Sequence, residues 1–211
     1  MMSDQPPKPQ SFSESLRPKA ATILQPIGRT LIRLHITANM LTFSGMVLAV
    51  GVGVLVATGN LFIGGVLLII AASMDAFDGT VARLSGIKSK FGAFWDSTLD
   101  RYSESFVLLG ILIYGLNVQN NWMVVLTFMA VMGSILVSYA RSRAETLGID
   151  CKVGVLTRLE RIVITVLMLL LNPFYPNVPL LIGLGLIAVL ANFTVIQRIV
   201  YVRREMERRG I

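Results

Sequence analysis

The stretch Met74-Asp75-Ala76-Phe77-Asp78-Gly79-Thr80-Val81-Ala82-Arg83, continued through Gly92 to Asp96-Ser97-Thr98-Leu99-Asp100-Arg101-Tyr102, decides how the rest of the chain is read. It places four aspartates, Asp75, Asp78, Asp96 and Asp100, inside an otherwise apolar chain. Spacings of i,i+3 and i,i+4 put each pair on one helix face. Ser85 to Lys90 is short and polar enough to be the turn between two such helices, which would bring all four carboxylates to one place. Carboxylates held close together repel one another and call for a cation.

Working outward, charge vanishes on both sides of this stretch. No Asp, Glu, Lys or Arg occurs from Leu34 to Met74, from Ser105 to Ala140, or from Ile162 to Gln197, blocks of 41, 36 and 36 residues. One membrane span takes roughly 20 residues, so each block is the length of two. Each is broken near its middle by a polar or proline-rich tip: Thr58-Gly59-Asn60, Leu116 to Asn121, and Asn172 to Asn177. The pattern predicts three helical hairpins, an all-α integral membrane protein of six transmembrane helices. The spans fall at about Asn39–Ala57, Leu61–Leu84, Gly92–Leu116, Trp122–Glu145, Leu156–Leu171 and Val178–Val202.

A composition of 54% hydrophobic and 15% charged residues excludes an ordinary soluble domain. All 19 Lys and Arg fall on the side of the termini and inter-hairpin loops or at its interface, and none on the hairpin tips. The positive-inside rule then turns both termini and the aspartates toward the cytoplasm of a multi-pass cell-membrane protein. The net charge of +7 reads as topology and contact with anionic membrane lipids rather than as nucleic-acid binding. Before the first span, residues 1–12 read as a disordered tail and residues 13–35 as a juxtamembrane amphipathic helix, kinked near Pro26. Residues 36–203 form the membrane domain and 204–211 a basic tail. The single cysteine, Cys151, excludes an intrachain disulfide and reads as structural. His35 is given no catalytic role.

The residue types carry their own chemistry. Aspartates are hard oxygen donors suited to a divalent ion bearing a diphosphate. Gly79 and Ala82 keep one helix face small, so a ligand can approach the backbone, and Arg83 one turn on offers a planar fork to phosphate. Ser89 and Lys90 are further phosphate neighbours, and Asp100, furthest along, is free to accept a proton. Arg141, Arg161 and Arg198 end or begin three other spans at the same interface. If those helices face the aspartates, the three arginines form a pocket for a second anion; otherwise they contact lipid headgroups.

Spelled as a pattern, Asp75 to Asp100 is D-x2-D-G-x2-A-R-x8-G-x3-D-x3-D. All of its fixed positions match the signature of the CDP-alcohol phosphatidyltransferases, which the chain resembles from about Thr22 to Arg203. The resemblance implies that Asp75, Asp78, Asp96 and Asp100 hold Mg2+ or Mn2+, two ions, together with the diphosphate of CDP-diacylglycerol. It implies further that Gly79, Ala82 and Arg83 contact the CDP moiety and that Asp100 is the base. Thr37-Ala38-Asn39-Met40-Leu41-Thr42 resembles the family's T-P-N-x-x-T element, with Ala38 in place of proline; Asn39 and Thr42 join Ser89 as CDP-lipid candidates, their other reading being polar helix caps.

Ser138 to Glu145, Thr157 to Arg161 and Gln197-Arg198 resemble the bacterial phosphatidylinositol phosphate synthase branch, with Arg141 replacing a lysine and Leu159 a proline. The implied activity is transfer of a phosphatidyl group to a phosphorylated polyol, with inositol 1-phosphate first and glycerol 3-phosphate second. A homodimer is implied by the resemblance alone. A divalent-cation transporter is the rival of another class, since intramembrane carboxylates also mark ion paths. Arg83 and the arginine cluster speak against it, as does the lack of an acidic relay across the bilayer.

Overall fold

The computed structural model describes residues 24–86 and 89–210. They contain seven helices and no strand. The helical run 24–33 is α1, followed by α2 (Ala38–Ala57), α3 (Leu61–Leu84), α4 (Lys90–Asn117), α5 (Asn121–Thr146), α6 (Arg158–Leu171) and α7 (Val178–Arg209). The predicted tail 1–12 and the start of the predicted amphipathic helix lie outside the described residues. Within them α1 runs through Pro26, whose carbonyl accepts a 3.1 Å hydrogen bond from Thr30 Oγ1.

Each hairpin begins and turns where local chemistry allows. Thr37 Oγ1 accepts from the Met40 amide to start α2, Ser89 Oγ from Gly92 to start α4, and Asn120 Oδ1 from Met123 to start α5. These side chains satisfy amides that have no partner within the helix. Thr157 and Glu160 form a reciprocal capping box at α6. At the first tip Gly59 takes φ +88°, a conformation that costs a glycine little.

Helices α2 and α3, α4 and α5, and α6 and α7 pack as hairpins, and the hairpins close on one another through α2 with α4, α5 with α7, and α3 with α6. The result is a ring of six helices around one apolar core, to which Val52, Leu68, Ile111, Ala130, Leu169 and Leu184 each contribute from a different helix. Small residues set the closest approaches. A Cβ on Gly110 would lie 2.3 Å from the Gly53 carbonyl oxygen, and one on Gly53 would lie 2.5 Å from that of Phe106. Helices α2 and α4 therefore cross backbone to backbone, as small residues permit in membranes.

Four helices, α2, α3, α5 and α7, are long and apolar enough to cross a bilayer. Helices α4 and α6 fall outside this set of four. Helix α4 carries Asp96, Asp100, Arg101 and Glu104 in its first half. Helix α6 has 14 residues, about 21 Å of rise, because the loop before it extends to Thr157. The last helix does not stop at Val202: α7 runs to Arg209, so the basic tail is helical over its described part.

Candidate functional site

The short connection from α3 to α4 brings the four aspartates to the same end of the ring. Asp78 is 6% exposed, and its Oδ2 accepts a 2.8 Å hydrogen bond from Thr42 Oγ1 of α2. Thr42 is thus no cap, which is Thr37's part; it fixes a buried carboxylate. Asp75 and Asp100 are joined by a residue whose position in the chain gave no hint of it: Arg158, the first residue of α6. Its Nη1 lies 2.5 Å from Asp75 Oδ2 and its Nη2 2.8 Å from Asp100 Oδ1. Asp100 stands within electrostatic reach of Asp75, Asp78 and Asp96. The sequence signal that could have found Arg158 is its place one turn before Arg161 on a helix that faces the hairpin.

Two cavities flank this cluster and share Asp96. The first, of about 590 Å³, is lined by Asn39, Thr42, Asp78, Gly79, Ala82 and Ser89, together with His35. His35 sits in the turn between α1 and α2 at φ 60°, a left-handed conformation uncommon for a residue with a side chain. Arg83 does not line this cavity. Its Nη2 donates to Thr80 Oγ1 at 3.1 Å, and its guanidinium lies over Gly79, where an added Cβ would sit 3.4 Å from Nη1. Ser89 stands at the rim with its hydroxyl engaged as the α4 cap.

The second cavity, of about 750 Å³, is lined by Asp96, Asp100, Arg141, Arg158, Arg161 and Arg198, with Lys152 at its edge. The three arginines singled out from the sequence do converge, but each is already engaged. Arg161, 2% exposed, is held in a two-pronged pair by Glu104, Nε to Oε1 at 2.6 Å and Nη2 to Oε2 at 2.8 Å. Its Nη1 is buried without a partner. Arg198, 5% exposed, donates from Nε to the Val153 carbonyl at 3.0 Å and from Nη1 to that of Val137. Arg141 Nε pairs with Glu145 at 2.9 Å near the surface. Glu104, midway along α4, was missed because nothing in its local sequence points to a partner on another helix.

Lys152 and Val153 belong to the loop 147–157, which is tied down by a small cluster of its own. Ala144, Ile149 and Cys151 are buried against Tyr201, Val202 and Met206 of the α7 extension. Burial pushes the Cys151 thiol above its ordinary range, keeping it protonated and inert, in keeping with a structural role.

Among the described residues, no group of three acidic, His or Cys side chains closes to the distances of a metal site. The guanidinium of Arg158 lies between two of the carboxylates instead. The donor chemistry nonetheless fits a divalent ion: the donors are carboxylate oxygens, they face one another from two helices, and they already draw in a cation.

Residues 35–198 match the CDP-alcohol phosphatidyltransferase family. An archaetidylinositol phosphate synthase of Pyrococcus horikoshii is 38% identical over 193 residues, 91% of this chain and 97% of the relative. The crystal structure of Mycobacterium tuberculosis phosphatidylinositol phosphate synthase with CDP-DAG bound superposes with a TM-score of 0.81 at 31% identity, covering 86% of this chain and 94% of that one. The same enzyme in complex with manganese and citrate gives 0.79 at 30% identity, covering 85% and 88%.

Proposed function

This chain belongs to the CDP-alcohol phosphatidyltransferase family, and on that premise we propose that it transfers the phosphatidyl group of CDP-diacylglycerol to inositol 1-phosphate, giving phosphatidylinositol phosphate and CMP. The observation that carries the reading is the pair of cavities meeting at Asp96, one walled mostly by small and uncharged residues beside Asp78, the other by arginines interleaved with Asp100, Glu104 and Glu145. The first suits the CDP-lipid, with Asn39, Thr42, Gly79, Ala82 and Ser89 around the nucleotide and Arg83 held beside it over Gly79. The second suits a phosphorylated acceptor. A neutral or cationic alcohol would gain nothing from five guanidinium groups, whereas a phosphate gains charge-assisted hydrogen bonds.

Asp75, Asp78, Asp96 and Asp100 would hold Mg2+ or Mn2+, the divalent metals this family uses. Such ions, when bound, offset charge on the diphosphate oxygens. Asp100 takes the proton of the acceptor hydroxyl. The oxygen then attacks the phosphorus bearing the lipid, the bond from that phosphorus to the CMP oxygen breaks, and CMP leaves. Thr42 fixes Asp78 for its part in this, and Glu104 holds Arg161 so that its free Nη1 is available to the acceptor phosphate. Arg198, anchored by two carbonyls, is a rigid wall of positive charge rather than a mobile clamp.

The protein is a multi-pass membrane protein, and we read residues 36–203 as one domain in which all six long helices cross. The charges of α4 face α6 and the cavities rather than lipid, which removes the cost that intramembrane charge otherwise carries. The absence of Lys and Arg from the hairpin tips puts the termini and the cavities on the cytoplasmic side. Trp122, Phe174 and Tyr175, all widely exposed at the opposite end, suit the far interface. A homodimer is part of the same reading.

The test offers purified protein the CDP-lipid with inositol 1-phosphate, glycerol 3-phosphate, inositol and glycerol in turn, and identifies the lipid product by mass. Phosphatidylinositol phosphate is the expected product. Preference for glycerol 3-phosphate would move the assignment to phosphatidylglycerol phosphate, and turnover with an unphosphorylated alcohol alone would remove the phosphate role of the second cavity.

A further inference from the structure

Arg158 poses a problem that the proposed chemistry does not answer. It occupies oxygens of Asp75 and Asp100 that the same reading gives to divalent cations and to the proton of the acceptor. A guanidinium is never deprotonated in a protein, so it cannot leave the cluster by losing its charge. It must either share the carboxylates with the cations or move.

The neighbourhood favours movement. Of the other cationic side chains around the second cavity, Arg161 is locked by Glu104 and Arg198 by two backbone carbonyls, Arg101 donates to the Ser97 carbonyl, and Arg141 and Lys152 pair near the surface with Glu145 and Asp150. Among the described residues Arg158 is bonded to the two carboxylates alone, and its Nε is buried without a partner there. It also lines the second cavity beside Arg161 and Arg198, so its head group has somewhere to go. Its backbone does not need to move: as the first residue of α6, directly after the capping box, it is held at a fixed point from which the long side chain swings.

We propose that Arg158 exchanges between the Asp75–Asp100 pair and the second cavity, so that cation binding at the carboxylates completes the site for the acceptor phosphate. Arg158 is then a positioning residue with two stations. Without divalent ions it neutralises part of the carboxylate cluster. With them it is displaced and joins Arg141, Arg161 and Arg198. Because linkage is reciprocal, the acceptor phosphate must tighten cation binding by the same factor by which cations tighten the phosphate. The order of events follows: cations and the CDP-lipid first, the acceptor second, with Asp100 relieved of its ion pair at the step that needs it as a base.

The inference rests on the carboxylates being the cation site, and the experiment separates the two. In detergent micelles, Mn2+ affinity is measured by electron paramagnetic resonance, and inositol 1-phosphate affinity by calorimetry with and without Mn2+. In the wild-type protein Mn2+ should tighten inositol 1-phosphate about 5- to 100-fold, the ordinary range of such coupling. Arg158→Gln should bind Mn2+ several-fold more tightly than wild type in the absence of acceptor, and the Mn2+ effect on inositol 1-phosphate should shrink toward none. Wild-type coupling in Arg158→Gln, or unchanged or weaker Mn2+ binding, would overturn the exchange. Arg158→Lys, which keeps the charge but lacks the planar fork whose two nitrogens each take one carboxylate, should fall between the two and serves if the glutamine variant does not fold. Asp78→Asn, at a carboxylate that Arg158 does not pair with, reports on the premise: if it leaves Mn2+ binding intact, the carboxylate reading fails and the exchange falls with it.

Discussion

The two cavities are built in opposite ways. The first is made from one continuous part of the chain, Ile32 to Asp96, in which small residues and hydroxyls leave room and a hydrogen bond, Thr42 to Asp78, fixes the key carboxylate. The second gathers residues from Ala93 to Arg198, and its buried arginines, Arg161 and Arg198, are held by partners far away in sequence: Glu104, Val137 and Val153. One is a motif folded on itself. The other is a product of how α4, α5, α6 and α7 meet. A change on the first side should therefore act locally and on the lipid donor, and a change on the second should spread into stability as well as acceptor binding.

Asp100, which faces the second cavity but works on both substrates, gives the largest expected effect. Asp100→Asn should lower turnover by about 10² to 10⁴, the usual worth of a positioned base, while CDP-lipid binding changes little. Rates near wild type would strike Asp100 from the chemistry, and loss of CDP-lipid binding would mean the two sides are not separable there. Next comes Glu104→Ala, which strands Arg161 in the interior. It should cost about 3 kcal/mol of stability, read by thermal unfolding in detergent, and raise KM for inositol 1-phosphate more than KM for the CDP-lipid. Equal effects on both KM values would blur the division between the cavities.

Thr42→Val is the matching change on the donor side. It removes one hydrogen bond to a buried carboxylate, worth about 1 kcal/mol, so KM for the CDP-lipid should rise about fivefold with KM for the acceptor unchanged. A rise in the acceptor KM alone would reverse the assignment of the cavities. The smallest effect is expected at Cys151. Since burial raises the pKa of its thiol, the reactive thiolate is scarce at neutral pH and becomes available only as pH climbs through the raised value. Maleimide should label the folded protein slowly at pH 7 and the unfolded protein quickly, and fast labelling of folded protein would show that loop 147–157 opens on its own.

Three hairpins, their polar tips and the meeting of the four aspartates follow from periodicity and from where charge is missing, because those are local properties that a helix carries wherever it packs. The donor-side residues were legible for the same reason: Gly79, Ala82 and the aspartates lie within one short stretch, the end of α3 and the start of α4, and Asn39 and Thr42 at the start of the preceding helix. Arg158 and Glu104 were not. One begins α6 and the other lies midway along α4, and the partner sits 58 or 83 positions away for Arg158 and 57 for Glu104. Sequence alone settled that the chain is a helical membrane protein with a carboxylate cluster at one face of the bilayer. Only the closing of six helices into a ring decided which arginines are anchored, which one bridges the carboxylates, and that two cavities meet at Asp96, because contacts between distant helices depend on packing that no local pattern encodes.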